Sequence, residues 1–311
     1  MKRRLKPLLK GAVGTLHRLL LHAGVIVLPN HYYTPVADVH ELRKLKKYWA
    51  KRSSMMGVGM DLAAQAHKLR DMVAPYESEY RGNEAFKQAA AKGFGLGFGY
   101  VEAQCLHGVL RALKPQKICE IGSGVSTYCT LRAIALNEIE GYYTELTCVE
   151  PNPSNFLREM QSKRIDLIEK PVQILDPEFF DTLHAGDLLF IDSTHAIKPG
   201  GDVIYLYLEV IPRLRPGVVV HIHDIYLPYP YQRDLLHPRT LFQWSETALL
   251  LALLTHNNRL NVLFCLSLLH YDAPEVLASV FPEYRPQAAE NGLCVPAEEG
   301  YFPSSIYLQT S

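Results

Sequence analysis

From about residue 101 onward, short apolar runs typical of buried strands alternate with segments of helical periodicity. Runs this apolar suit a parallel sheet that is covered on both faces. The strand–helix alternation therefore predicts an α/β fold, a doubly wound, mostly parallel Rossmann-like sheet of seven strands whose last two form a hairpin-like pair at the sheet edge. The predicted strands cover residues 117–121, 145–150, 167–175, 187–192, 217–223, 262–270 and 305–309, and the helices between them cover about 127–138, 203–214 and 245–255.

Residues before Gly99 lack this alternation and predict a helical N-terminal region, with helices near 40–52 and 62–73. We therefore divide the chain into residues 1–99, a lid or docking region, and residues 100–311, a ligand-binding domain. The first residues form a basic amphipathic helix whose apolar face we expect to pack on the protein. Peripheral contact with a membrane surface is the alternative, because no uninterrupted apolar run is long enough to span one.

The composition argues against some partners and compartments. Lys plus Arg and Asp plus Glu are equal at 32 each, whereas a protein that binds nucleic acid usually carries a basic excess. The six cysteines, Cys294 among them, form no C-x-x-C pair, and several lie in apolar runs. This pattern favours a reducing, cytoplasmic setting without a disulfide framework. We expect no nucleic-acid partner, and a homo-oligomer stays open.

A glycine turn follows the first predicted strand, where residues 120–127 read Glu-Ile-Gly-Ser-Gly-Val-Ser-Thr. Gly122 and Gly124 allow a tight turn and close approach of a ligand, and Ser126 and Thr127 suit the cap of the next helix. The second strand ends at Glu150, whose carboxylate can accept hydrogen bonds from ribose hydroxyls. Together these features indicate a cofactor that contains a nucleoside.

Two residues select among such cofactors. A dinucleotide turn is typically G-x-G-x-x-G, but Thr127 stands at the third glycine. Glu120, just before the turn, would repel a pyrophosphate and suit a cationic ligand that contains an amino acid. The turn therefore favours S-adenosylmethionine over NAD.

Four successive segments resemble the motifs of class I S-adenosylmethionine-dependent methyltransferases: Glu-Ile-Gly-Ser-Gly at 120–124, Cys-Val-Glu-Pro at 148–151, Leu-Phe-Ile-Asp at 189–192 and Pro-Gly-Gly at 199–201. The resemblance is closest to the branch with small-molecule and sugar O-methyltransferases. It implies that the glycine turn passes under the methionine part of the cofactor, that Glu120 lies near its amino group, that Glu150 holds the ribose, and that Gln173 and Ile174 face the adenine. The implied cofactor-binding residues are Glu120, Gly122, Ser123, Gly124, Ser126, Glu150, Pro151, Gln173, Ile174 and Asp192.

The candidate catalytic residues follow the fourth and fifth strands. Asp192 and His195 follow one strand, and His223 and Asp224 follow the next, so all four should converge at one sheet edge. Histidine titrates near neutral pH, which makes His195 or His223 the expected general base for an acceptor hydroxyl. The alternative is Mg²⁺ or Mn²⁺ held by Asp192, His223 and Asp224. We expect no metal, because relatives in this branch carry a paired Asp-Asp where this chain has His223-Asp224.

The sequence thus predicts an S-adenosylmethionine-dependent O-methyltransferase for a small hydroxylated acceptor, with a glycosyl unit as one option. Aromatic residues at 226–231, together with Trp244, could wall an acceptor pocket, and residues 31–33 could close it. Two alternatives stay open. One is a non-catalytic S-adenosylmethionine-binding scaffold or regulator, and the other is an NAD-linked oxidoreductase.

Overall fold

The computed structural model describes residues 2–94, 97–161, 164–233, 235–236, 240, 242–285 and 302–311, with side chains from residue 11 onward. Cys294 lies outside these residues. The chain divides into an N-terminal unit, Met1–Trp49, and a C-terminal unit, Ala50–Ser311. The C-terminal unit therefore includes the helices between residues 62 and 91, which the sequence analysis placed with the N-terminal region.

The N-terminal unit consists of α1 (Lys2–Leu21), an extended segment with turns, and α2 (Val39–Trp49). None of its described side chains is buried. Hydrogen bonds hold its turns instead, such as the 3.0 Å contact between His17 Nδ1 and the carbonyl oxygen of Val27. No helix in the described part of the chain is long and apolar enough to cross a membrane.

The C-terminal unit is built on one seven-stranded sheet, in the order β3-β2-β1-β4-β5-β7-β6. Its strands are β1 (Lys117–Ile121), β2 (Glu145–Val149), β3 (Asp166–Ile168), β4 (Leu188–Ile191), β5 (Val219–Ile222), β6 (Leu260–Cys265) and β7 (Ile306–Thr310). Its described helices are α3 (Leu62–Val73), α4 (Glu77–Tyr80), α5 (Glu84–Ala91), α6 (Tyr100–Leu113), α7 (Val125–Ile139), α8 (Asn155–Met160), α9 (Asp202–Tyr205), α10 (Glu246–Leu254), α11 (Leu266–Asp272) and α12 (Pro274–Val280).

The first five strands are parallel, and β7 pairs antiparallel with both β5 and β6. The predicted doubly wound sheet with a hairpin-like final pair is thereby confirmed. Two apolar clusters cover its faces. One contains residues of α3, α6 and α7, and the other contains residues of α9 and α10. Covering on both faces explains why β4 and β5 are buried at every position.

Two predicted strands were too long. The third ends at Ile168, before Lys170 and Pro171, because a proline cannot donate to the ladder and constrains the residue before it. The sixth ends at Cys265, and the following residues form α11. The apolar run Leu-Ser-Leu-Leu at 266–269 suits a buried helix as well as a strand, and periodicity does not separate the two.

The predicted helix at 203–214 is also broken up. It begins as α9 and continues as a π-type turn over Leu206–Val210 and a 3₁₀ turn over Ile211–Arg213. Pro212 has no backbone N–H to continue the α-helical ladder, which explains the change at this point.

Buried Arg111 on α6 joins three helices. Its Nε donates to Glu79 Oε2 of α4 at 2.7 Å, and its other nitrogens contact Asn137 of α7 and Glu140 just beyond α7. His107 lies 2.8 Å from the same Glu79 oxygen.

The five cysteines in the described residues are buried and form no disulfide, as the sequence predicts.

Candidate active site at the carboxyl edge of the sheet

The register of three neighbouring strands brings the predicted site together. Ile121 at the end of β1 is aligned with Ile191 at the end of β4, and Ile191 is aligned with Ile222 at the end of β5. The loops that begin at Gly122, Asp192 and His223 therefore leave the sheet side by side. In open α/β sheets this carboxyl edge is where ligands bind.

The glycine turn contains one glycine that the fold itself requires. Gly122 has φ of +82°, and a Cβ there would lie 1.8 Å from the carbonyl oxygen of Asp192. At Gly124 a Cβ would meet only the carbonyl oxygen of Phe94, at 3.5 Å, which is ordinary contact. The protein's own packing thus explains Gly122 and does not explain Gly124.

The side chains of Ser126 and Thr127, just after the turn, make different hydrogen bonds. Thr127 Oγ1 accepts a hydrogen bond from the Gly124 N–H at 3.0 Å and so caps α7. Ser126 Oγ instead donates to Glu120 Oε1 at 2.5 Å. Ser126 therefore anchors the acidic residue of β1, a role that the sequence did not predict.

Glu120 is fully buried beneath the turn. Burial raises the pKa of its carboxyl group to about 8, and hydrogen bonds from Ser126 and Thr127 oppose part of that rise. Asp192 nearby adds to it. The side chain makes no ion pair with a basic residue among the described residues, so its ionised form lacks a positive partner.

Glu150 lies directly after β2 and faces the glycine turn. Its Oε2 accepts from the Ser123 N–H at 3.3 Å, and its Oε1 accepts from the Asn152 N–H at 2.8 Å. Pro151 is exposed at the start of the turn that follows. The carboxylate is thus held beside the turn, and it is only partly buried.

Gln173 and Ile174 do not lie at a strand end as the sequence analysis placed them. They form part of a 3₁₀ turn over Val172–Ile174, beyond the end of β3. Ile174 is largely exposed, and Gln173 is partly buried.

The two predicted histidines lie in one buried cluster. His223 Nδ1 is 3.0 Å from Asp192 Oδ1 and 3.6 Å from Asp224 Oδ2. His195 Nε2 is 3.4 Å from the same Asp192 oxygen and 3.5 Å from the same Asp224 oxygen. The four residues named from the sequence are therefore brought together.

Two further carboxylates complete the cluster, and the sequence analysis did not name them. Glu102 of α6 places Oε2 3.0 Å from His223 Nε2, and Glu246 at the start of α10 places Oε2 2.8 Å from His195 Nδ1. Both glutamates are almost fully buried. Glu102 is fixed in turn by the hydroxyl of Ser305, which donates to its Oε1 at 2.6 Å.

Each imidazole now has a carboxylate oxygen at both nitrogens. Burial by itself lowers a histidine pKa, but the surrounding carboxylates outweigh it, raising the pKa of His195 to about 10 and that of His223 well above its usual value. The same contacts hold the pKa of Asp192 well below its usual range, against the effect of burial. In this arrangement both rings keep their protons.

The backbone is strained at the cluster. His195 and Asp224 have φ of +58° and +54°, in the left-handed region that residues with a Cβ seldom adopt. Such strain costs about 1–3 kcal/mol per residue, and it persists where the surrounding structure over-determines the conformation. In these conformations the His195 ring lies within 3.5 Å of carboxylate oxygens of both Asp192 and Asp224.

His221 takes no part in this cluster. Its ring stacks between Phe190 and Tyr307, with centroids 4.1 Å away on each side. Burial keeps its pKa well below the usual value. The alternation of side chains along β5 thus places His221 in the core and His223 in the site.

Aromatic rings border the cluster. The ring of Trp244 lies 4.8 Å from that of His195, and the ring of Phe98 lies 5.0 Å from that of His223. Tyr226 donates its hydroxyl hydrogen bond to Asp224 Oδ1 at 2.8 Å. Trp244 and Tyr226 therefore contact residues of the cluster, whereas the predicted lid at 31–33 belongs to the N-terminal unit.

We predict that Glu120→Gln stabilises the ligand-free protein increasingly as pH rises. A carboxyl with a raised folded-state pKa favours folding at low pH, and that contribution is lost as pH rises from about 4.5 through about 8. The glutamine side chain at position 120 does not titrate. The free energy of unfolding of the variant should therefore exceed that of the wild type by on the order of 2–4 kcal/mol at pH 8 and by little at pH 5. Urea unfolding at both pH values measures the difference. Parallel pH profiles of the two proteins would show that Glu120 ionises normally in the fold.

Comparisons with known proteins agree with the geometry over the middle of the chain. Residues 119–225 match the model of a family described as a methyltransferase domain. An uncharacterized protein of Archaeoglobus fulgidus is 29% identical over 171 residues, which cover 51% of this chain and 75% of that protein. The tRNA pseudouridine synthase B of Listeria welshimeri is 25% identical over 136 residues, which cover 41% of this chain and only 45% of the synthase.

Among solved structures, the chain is similar to the Burkholderia thailandensis 1,6-didemethyltoxoflavin-N1-methyltransferase bound to 1,6-didemethyltoxoflavin and S-adenosylhomocysteine. The TM-score is 0.40 at 15% identity, and the match covers 89% of this chain and 92% of that one. The segment that matches the family model contains the glycine turn, Glu150, Asp192, His195 and His223. Over residues 119–225, therefore, the chain is similar to a methyltransferase domain.

Proposed function

We propose that this protein is an S-adenosylmethionine-dependent methyltransferase that transfers the methyl group to a hydroxyl of a small acceptor, with a glycosyl unit as one candidate. The match of residues 119–225 to a methyltransferase domain supports the transfer reaction. The observation that carries the proposal is the pairing of a glycine turn with a buried acid beneath it and a partly buried acid beside it, Glu120 and Glu150.

The features of the turn fit this cofactor. Gly124 is not required by the protein's own packing, so a ligand that passes close to its Cα accounts for it. Among the described residues Glu120 has no basic partner, and a cationic amino group of the ligand would supply one. The buried Ser193 hydroxyl, next to Asp192, has no hydrogen-bond partner among the described residues, which leaves a polar atom for the ligand. Glu150 holds two backbone N–H groups and can also accept from ribose hydroxyls.

On the acceptor side, the geometry favours a divalent cation over the metal-free base that the sequence favoured. A histidine must be neutral before it can act as a general base and take a proton. In His195 and in His223, however, both ring nitrogens face carboxylates, which favour the protonated ring. A cation that binds to these rings displaces protons, since metal-ligating histidine is neutral.

The donor set fits such an ion. Asp192 Oδ1 lies 3.0 Å from His223 Nδ1 and 3.4 Å from His195 Nε2, which gives one carboxylate oxygen and two imidazole nitrogens as ligands. Adjacent ligands with metal bonds of about 2.1 Å have separations of about 3.0–3.4 Å. Asp192, His195 and His223 also group together as a candidate metal site.

The outer nitrogens of the two rings are held as a metal site requires. Metal-ligating histidines usually donate their second N–H to a carboxylate, and Glu102 and Glu246 occupy those positions here. A bound ion would lower the pKa of an acceptor hydroxyl and fix its oxygen toward the methyl donor. Mixed nitrogen and oxygen donors suit Mn²⁺, Fe²⁺ or Zn²⁺ better than Mg²⁺.

We predict that Gly124→Ala loses cofactor affinity without losing stability. The added methyl has room in the protein but blocks the path of a ligand along the turn, so S-adenosylhomocysteine should bind at least tenfold more weakly while Tm stays within about 2 °C. Gly122→Ala, the matched variant, should lose both, because its Cβ meets the Asp192 carbonyl. Isothermal titration and thermal unfolding measure the two effects.

Ligand titrations of the wild-type protein also test the class of cofactor. Wild-type protein that binds NAD and not S-adenosylhomocysteine would contradict the proposal in favour of an oxidoreductase. Binding of the nucleoside with no methyl transfer to any hydroxylated acceptor, with and without added metal, would indicate a binding scaffold.

We predict that a divalent ion stabilises the EDTA-treated protein through the cluster. An ion at about a hundredfold above its Kd adds about 2.7 kcal/mol to the free energy of unfolding, which raises Tm by roughly 5–10 °C. Mn²⁺ or Zn²⁺ should give the larger shift and Mg²⁺ the smaller. Asp192→Asn should abolish the shift, whereas Asp181→Asn, a control at a surface ion pair with Arg213, should retain it.

Methyl transfer is followed in the same samples. Loss of activity with EDTA and recovery with the ion that stabilises the protein supports the metal. Equal Tm shifts in the Asp192 and Asp181 variants, or full activity of the EDTA-treated protein, would return the assignment to a histidine base.

A further inference from the structure

The N-terminal unit has an apolar surface without a core. None of its described side chains is buried, and eleven of the large apolar side chains that are exposed in the described chain belong to it. They are Leu16, Leu19, Leu21, Val25, Ile26, Leu28, Tyr32, Tyr33, Val36, Leu45 and Tyr48. An exposed apolar surface of this extent typically marks a site that another body covers.

The surface has the periodicity of an interfacial helix. Successive residues of an α-helix are about 100° apart, so Ala12, Leu16, Leu19 and Leu20 of α1 fall within an arc of about 100°. Arg18 and Gly14 lie on the opposite side. Leu16 and Leu19 are 47% and 67% exposed. An apolar stripe opposite a polar, basic face is the pattern of helices that lie in a membrane interface.

The charge of the unit identifies the kind of surface that it meets. Residues 1–49 contain ten Lys and Arg against two acidic residues, although the whole chain has equal numbers of each sign. The N-terminal unit thus carries an excess of eight positive charges, and the rest of the chain carries the matching negative excess. Five of the ten basic residues lie among residues 2–10, and four belong to α2.

We propose that the N-terminal unit docks this protein on an anionic lipid bilayer, with the apolar side of α1 in the interface and the basic residues against lipid phosphates. Each Lys or Arg near such a surface increases the affinity about fivefold, and buried leucines add to it. Tyr32 and Tyr33, 81% and 80% exposed, are residues that membrane interfaces favour. The proposal does not depend on the methyltransferase activity.

The exposed apolar side chains favour lipid over the other anionic partner. A nucleic acid would neutralise the basic residues but would offer no apolar medium for Leu16, Leu19 and Ile26. A second copy of the chain would bring two positively charged units together, which charge repulsion opposes.

The test is co-sedimentation of the full-length protein with vesicles. We expect binding to phosphatidylcholine vesicles that contain about one third phosphatidylglycerol, weak binding to pure phosphatidylcholine, and a large loss as NaCl rises from about 0.1 M to about 0.5 M. The double variant Leu16→Glu/Leu19→Glu should bind at least 100-fold more weakly. Ile139→Glu/Tyr143→Glu, a control at two apolar side chains that are even more exposed on the C-terminal unit, should bind as the wild type does.

A second variant tests the charges without touching the apolar side. Lys44→Glu/Lys47→Glu should weaken binding by about 100-fold or more at low salt. Thermal unfolding and S-adenosylhomocysteine titration of each variant show whether the C-terminal unit stays intact, which separates this result from the fate of the proposed function.

Three outcomes would overturn the proposal. The first is no binding to anionic vesicles, and the second is vesicle binding that the leucine variant leaves unchanged. The third is evidence that the same surface binds a different partner. That partner would be RNA if the protein binds RNA but not vesicles and the lysine variant loses RNA binding. It would be a second copy of the chain if gel filtration without lipid shows a dimer that the leucine variant dissociates.

Discussion

The carbonyl of Asp192 lies against the Cα of Gly122, so closely that only glycine fits there. A backbone hydrogen bond from the Asp192 N–H to the Ile121 oxygen at 2.8 Å holds the two loops in this contact. The side chain of the same Asp192 meets both histidines of the cluster. One residue thus joins the loop proposed for the cofactor to the residues proposed for the acceptor, and their separation is set by backbone packing.

This constraint explains why the site is assembled from distant parts of the chain. The parallel register of β1, β4 and β5 delivers the loops, but it leaves the orientation of their side chains open. The orientation of the two histidine rings is set by glutamates on two helices. Glu102 reaches in from α6, before the first strand, and Glu246 reaches in from the start of α10. Both are rigidly placed, since helices hold side chains more precisely than loops do.

The sequence could predict the parts of the site that depend on the chain order of strands and turns. The glycine turn, Glu150 and the four residues after β4 and β5 are all adjacent to apolar runs, and the structure places them at one edge of the sheet. Glu102 and Glu246 carried no such signal, because an acidic residue in a helix is usually exposed. A glutamate within the apolar stretch that begins α6 was the available hint. The predicted end of β3 was wrong because a proline ends this strand early. The start of α11 was missed because a short apolar run fits a buried helix as well as a strand.

Charge balance separates two buried networks that look alike. Around Arg111, the carboxylates of Glu79 and Glu140 face the guanidinium and Lys114, so positive and negative charges are equal and the network is complete as a structural tie. The cluster at Asp192 has four carboxylates and two histidines, and it carries an excess of two negative charges even with both rings protonated. Buried like charges are costly, and so is the left-handed backbone at His195 and Asp224. Under the proposal above, a divalent cation that displaces the two ring protons would leave the same excess of two negative charges, and that excess would favour the cationic sulfonium of the proposed methyl donor.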